Sequence, residues 1–228
     1  MADQPARTNG AGTTDTTPRG RIIEALMALL GEKRFEEIEL GEIATRAGVS
    51  LGELRAEFSS SFAILAAQVK AVDRAVLDAN DDDMAEEPPR ERLFDVLMRR
   101  IETLEPHKPA VRSLVRSAPF NPPLALALNG LSVRSQQWML TAAGISAAGP
   151  KGMVRAQGLA LLFASVLRTW LEDDDPGHAR TMAALDRALA SAERWSGFVD
   201  DLFCIPAALC KGMRGRRARK FDREAEAA

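Results

Sequence analysis

Tyrosine is absent from this chain, and only two histidines and two cysteines occur in 228 residues. His107 and His178 stand far from Cys204 and Cys210, so no set of soft donors falls at metal-ligand spacing. Neither a nucleophile elbow nor a phosphate-cradling glycine loop is present, and no enzymatic activity, cofactor or metal is expected. Without a secretory signal beside them, the two cysteines read as reduced thiols. Long apolar runs are also missing: none reaches the ~18 residues of a membrane-spanning helix. The first residues lack the apolar stretch of a secretory signal, so a cytoplasmic protein is expected. No segment alternates apolar and polar residues with period two, which removes half-buried strands. Nor is there an excess of basic charge. With a net charge of −2, any affinity for nucleic acid must come from local patches.

What is present is helical patterning. Alanine and leucine are abundant, and an all-α protein of nine helices is expected, or ten if the C-terminal segment adds one. Residues 1–17 are Thr-, Gly- and Asp-rich and read as a disordered tail. Pro18 opens a first helix to about Lys33, with Ile22, Ile23, Leu26, Leu29 and Leu30 on one face. A helix capped within Ser59–Ser61 carries Phe62, Leu65, Val69, Val72, Val76 and Leu77 to about Asp78. The acidic loop NDDDMAEEPP (Asn80–Pro89) separates it from a helix spanning Pro89 to about Glu105. A short helix holding Val111, Leu114 and Val115 follows, and Asn121 caps a longer one to about Ala143. Gly144–Gly152 reads as a loop, and two long helices are expected over Met153–Leu171 and His178–Trp195. The acid runs Asp81–Asp83 and Glu172–Asp175 read as solvated turns. The domain reading is residues 18–58 as one unit, 59–196 as a second, and 197–228 as an amphipathic segment with a basic tail.

The stretch LGEIATRAGVSLGELRAEF (Leu40–Phe58) carries the most information. Ile43, Ala44 and Ala47 give one short helix an apolar face, Gly48 suits a positive φ at its end, and Ser50 is placed to cap the next. Leu51, Leu54 and Phe58 are expected to face inward from that second helix. Helix, glycine turn, helix is the plan in which the second helix enters a DNA major groove. On this reading Ser50, Leu51, Gly52, Glu53 and Arg55 meet DNA, while Arg19, Arg21 and Arg46 add phosphate contacts. The charge runs against it. From Arg19 to Phe58 there are six basic and eight acidic residues, a net of −2, where an operator-binding domain is ordinarily neutral to basic.

Farther on, Met98, Trp138, Met139 and Phe163 are large flexible or aromatic side chains suited either to an apolar ligand or to core packing. His107, Arg134, Gln136 and Gln137 are polar residues placed to face a cavity; His107, Arg134 and Gln137 are the ones assigned to ligand binding. The last two long helices have broad apolar faces, which suit a four-helix dimer interface. In the C-terminal segment, Phe198, Leu202, Ile205 and Leu209 form an apolar stripe beside a cluster in which six of the ten residues Lys211–Lys220 are basic. Such a stripe either docks on its own domain or lies on an anionic membrane surface.

Arg21–Phe58 resembles the N-terminal domain of the TetR-family transcriptional regulators. Ile43-Ala44, Ala47-Gly48-Val49-Ser50, Gly52, Leu54 and Phe58 match the family's pattern in register, over about 45 of 228 residues. The resemblance implies a homodimer, operator DNA as partner, a pocket for a small effector in the C-terminal half, and release from DNA on ligand binding, as in a repressor. Two positions depart from the pattern: Arg55 stands where the family usually has tyrosine, and Ser61 where it usually has lysine. Arg55 can supply a phosphate or guanine donor in its place, and Ser60 and Ser61 at a helix start suit a phosphate. A second resemblance covers Leu167–Trp195, where a tryptophan before an acidic turn and Thr181-Met182-Ala183-Ala184-Leu185-Asp186-Arg187 look like the ubiquinone-biosynthesis lipid-binding proteins. It implies the alternative of an isoprenoid- or lipid-binding protein on the same architecture, with a helix-turn-helix that no longer reads DNA.

Overall fold

The computed structural model describes residues 16–79 and 86–192, and among them every regular element is helical. The expected N-terminal tail, the acidic loop, both cysteines and the amphipathic and basic C-terminal segment fall largely or wholly outside the described residues. Eight complete α-helices are present: α1 (Pro18–Glu32), α2 (Leu40–Ala47), α3 (Leu51–Glu57), α4 (Ser61–Asp78), α5 (Pro89–Leu104), α6 (Lys108–Ser117), α7 (Pro122–Ala142) and α8 (Gly149–Leu171). A ninth, α9, starts at 179 and continues to 192, the last described residue. The all-α expectation holds. One boundary moves: α8 starts at Gly149 rather than near Met153, because Pro150 sits in its first turn, where no backbone donor is lost.

The chain forms two compact units. The first runs through Arg74 and takes in Thr103–Leu128, so it holds α1–α3, most of α4, and α6. Local chemistry sets each helix end in it. Thr17 accepts a hydrogen bond from Gly20 N at 3.1 Å to start α1. Glu42 reaches back to Glu39 N at 3.0 Å to start α2, and Ser60 Oγ accepts from Ala63 N at 3.1 Å ahead of α4. Each satisfies one of the donors a helix start leaves open. Ile22, Leu26 and Leu30 of α1 recur every four residues and are fully buried. They pack with Ile43, Ala44 and Ala47 of α2, Leu54 of α3, Phe58, Ile64 and Leu65, and Ala110 and Leu114 of α6. α6 is further tied to the end of α1 by a bond from Ser113 Oγ to the Lys33 carbonyl, 2.9 Å.

The second unit comprises Ala75–Glu102 and the chain from Asn129. Asn129 of α7 and Gln157 of α8 exchange two amide hydrogen bonds, and Arg90 of α5 is ion-paired with Asp186 of α9. At the start of α8 a Cβ on Gly152 would lie 2.1 Å from the Ala147 carbonyl carbon, so only glycine fits where the loop crosses the helix. The acid run after α8 is not uniformly solvated, contrary to the reading above. Asp173 is buried and accepts from Thr181 N at 2.9 Å and Thr181 Oγ1 at 2.7 Å. Asp175 accepts from Ala179 N at 3.2 Å, so two carboxylates hold the first turn of α9.

Candidate nucleic-acid interface

α2 and α3 are joined by the turn Gly48–Ser50. Gly48 takes φ 63°, the left-handed conformation that glycine adopts without strain, and its N–H caps the last carbonyls of α2. Ser50 Oγ accepts from Glu53 N at 3.1 Å while Glu53 Oε2 accepts from Ser50 N at 2.7 Å. This reciprocal box sets the direction in which α3 leaves the turn. Leu54 and Phe58 are buried beneath it, as expected. Leu51 is not: it is 61% exposed, because the packing of this seven-residue helix turns only Leu54 and the following Phe58 inward. The outer face of α3 therefore presents Leu51, Gly52, Arg55 and Ala56.

The cations around this face are in different states. Arg55 is exposed and has no hydrogen-bond or ion-pair partner among the described residues. Arg19 lies over the Phe58 ring, 4.5 Å from its centroid, with Nη1 3.4 Å from Glu57 Oε2. Arg21 Nη1 donates to the Gly48 carbonyl at 3.3 Å, so it braces the turn. Arg46 binds Glu32 through two bonds of 2.8 Å, and Lys33 holds Glu42 at 2.5 Å. The Arg46 guanidinium keeps Glu32 below the usual carboxylate range, and Lys33 does the same for Glu42. Glu53 is held low by the backbone N–H of Ser50, so it stays an anion whose acceptors are engaged in the cap. Ser60 Oγ is likewise a cap acceptor, and its neighbour Ser61 opens α4. Three of the six basic residues in this region thus face a carboxylate of the same chain. The sequence carried no trace of this, since Arg46 and Glu32 lie fourteen residues apart and Arg19 and Glu57 thirty-eight.

Neither a protein-family model nor a curated protein sequence matches the chain. Solved structures do. A TetR transcriptional regulator from Nitrosomonas europaea superposes with TM-score 0.61 at 21% identity, over 78% of this chain and 98% of that one. A TetR transcriptional regulator from Rhodococcus sp. RHA1 gives 0.54 at 24% identity, over 76% and 94%. A TetR-family regulator from Streptomyces coelicolor gives 0.52 at 18% identity, over 81% and 83%. The chain has the TetR-regulator fold.

On the TetR fold, the second unit receives most of the residues assigned above to a ligand. Met98, Met139 and Phe163 are buried. Phe163 also receives the Arg100 guanidinium, 5.6 Å from its ring centroid. Trp138 and Arg134 are on the surface, Trp138 at 55% exposure, on a face of α7 that points outward. Gln137 is half-buried, with Nε2 3.7 Å from the Met153 sulfur. His107 belongs to the first unit, 3.8 Å from Glu24. α7 buries two polar side chains, Ser135 and, next to the half-buried Gln137, Gln136. Exposed apolar side chains occur on α7 (Leu126 and Trp138), on α8 (Met153, Val154 and Leu161) and on α9 (Met182). Among the described residues no cluster of three His, Cys, Asp or Glu could hold a metal, and no helix is long and apolar enough to cross a membrane.

Proposed function

We propose that the chain is a cytoplasmic, non-enzymatic, ligand-responsive DNA-binding regulator, a repressor that leaves its operator when the second unit takes up a small apolar effector. The observation that carries this reading is the capped α2–turn–α3 pair with unpartnered Arg55 on its outward face. A guanidinium there reaches guanine or phosphate, and Leu51 beside it suits a thymine methyl. Arg19, Arg21 and Arg46 border the same pair and act on phosphates, with Arg19 and Arg46 exchanging an internal carboxylate for a DNA phosphate. The apolar surface of α8 and α9 supports a homodimer, which two-fold operator recognition needs. The test is binding to the DNA flanking the chain's own gene across a salt series. Affinity that falls steeply with salt supports the reading, and no affinity at low salt ends it.

One observation favours a second reading, a lipid-binding protein on this fold. Arg19, Lys33 and Arg46 are held by Glu57, Glu42 and Glu32, which lowers the positive charge available to DNA. That protein would bind lipid vesicles or co-purify with lipid and show no salt-dependent DNA binding.

A further inference from the structure

Asn129 Nδ2 donates to Gln157 Oε1 at 3.1 Å, and Gln157 Nε2 donates to Asn129 Oδ1 at 3.0 Å. A side-chain amide is satisfied in this manner by a second group with a donor and an acceptor side by side. Gln136 stands seven residues along α7 from Asn129, two turns on and on the same face. It is 0% exposed, yet neither its Nε2 nor its Oε1 has a hydrogen-bond partner. α7 and α8 run antiparallel, because Gln137 meets Met153 where Asn129 meets Gln157. Gln136 lies between Asn129 and Gln137, so the α8 positions level with it fall between Met153 and Gln157, and none of Met153, Val154, Arg155 and Ala156 repeats the Gln157 amide. Met153, Val154 and Ala156 lack a donor, and Arg155 lacks an acceptor. Native interiors seldom keep a buried amide in that condition, because its lost bonds to water go unreplaced.

We propose that Gln136 recognises a small molecule with an uncharged donor–acceptor head, a carboxamide or a lactam, on an apolar body. The head must offer both functions because Gln136 offers both; a carboxylate would satisfy Nε2 while opposing Oε1. The body is apolar because the next inward residues of α7, Met139, Leu140 and Ala143, are buried and carry no polar side chain. The inference rests on the ligand-responsive reading and names the head group of the effector.

Octanamide and decanamide are the probes, with methyl octanoate and methyl decanoate, which have an acceptor and no donor, as controls. Calorimetry on the full-length wild type should give amides binding at least about tenfold tighter than the matched esters, as expected where an unmatched polar group is left buried. Gln136→Leu should remove that discrimination. The ligand-free variant should melt about 2–4 °C higher than wild type, since an unmade polar group has been replaced by an apolar one. Equal binding of amide and ester, binding of neither, or discrimination that survives in Gln136→Leu overturns the proposal, and so does a crystal structure of the wild type in which a lone water satisfies both amide atoms. The wild-type comparison of amide with ester stands even if the variant does not fold. DNA binding is measured separately on the same sample. If DNA binding is absent and the amide preference present, the regulator reading fails and Gln136 keeps its role; the reverse result removes the role and leaves the regulator.

Discussion

Arg46 of α2 and Glu32 at the end of α1 are joined by two hydrogen bonds of 2.8 Å, Nη1 to Oε1 and Nη2 to Oε2. The pair is exposed, so its worth to folding is small, but its geometry matters for any partner. A guanidinium forked onto a carboxylate presents DNA with a neutral pair in place of a cation.

Glu32→Gln should therefore release Arg46 for phosphate contact. DNA affinity is expected to rise, and the slope of log K against log salt to steepen by about 0.9 for the one added phosphate contact. Glu57→Gln should act in the same way through Arg19. Fluorescence anisotropy across a salt series checks both, and an unchanged slope would falsify the masking argument.

Arg55→Ala should weaken operator binding by about 1–3 kcal/mol if the guanidinium is bidentate on a guanine. Because Arg55 is exposed and has no partner among the described residues, the melting temperature should not move. A melting shift as large as that of a cap variant would assign Arg55 to the fold instead.

Ser50→Ala removes the acceptor for Glu53 N and with it half of the reciprocal box, at a cost of about 1 kcal/mol. Gly48→Ala forces a Cβ into the left-handed region at φ 63° and should cost about as much again. Urea titrations of the two variants and the wild type measure each loss; a neutral Gly48→Ala would mean that the turn relaxes.

Gly152→Ala is expected to do more. Its Cβ would meet the Ala147 backbone at 2.1 Å, and main-chain atoms cannot swing aside as a flexible side chain does. A loss at the upper end of about 1–3 kcal/mol is expected, read as a lowered melting temperature. Gly158→Ala on the same helix, where a Cβ meets nothing within 4 Å, is the control and should be neutral or slightly stabilising.

Asp173 sets part of the acid limit. Hydrogen bonds from Thr181, its hydroxyl foremost, hold its carboxyl below the ordinary aspartate range. A folded-state value below the unfolded one means that its contribution is present above the unfolded value, near 3.9, and is lost as pH falls through the folded one. Glu32, Glu42 and Glu53 are lowered in the same direction. Stability should thus fall below about pH 5, and Asp173→Asn should flatten that fall while lowering stability at neutral pH. Unfolding at pH 7, 5, 4 and 3 tests it; an unaltered acid limb in the variant would remove Asp173 from the account.

Much of the fold was legible in residue spacing. Pro18, Gly48, Ser50 and Asn121 mark helix ends by local stereochemistry, and each acts at its predicted place. Ile22, Leu26 and Leu30 are buried because a period near 3.6 leaves them one face on which to be buried. Gly and Pro before Met153 read as a loop, whereas Pro150 fits the first turn of α8. The periodicity that puts Leu54 inside puts Leu51 there too, yet Leu51, in the first turn of α3, is exposed and Leu54 is the one residue of that helix that is buried. Gln136 and Gln137 are indistinguishable in composition. Only a rotation of about 100° about the α7 axis separates the buried amide from the half-buried one.

The sequence by itself determined the helices and the helix-turn-helix, because capping, glycine conformation and apolar period act within a few residues of the chain. Which charges face one another was decided by tertiary structure alone. Arg46 meets Glu32, and Arg19 meets Glu57, only after α1 has packed on α2 and α3. Ion pairing depends on distance in space, and the chain's order does not record that distance.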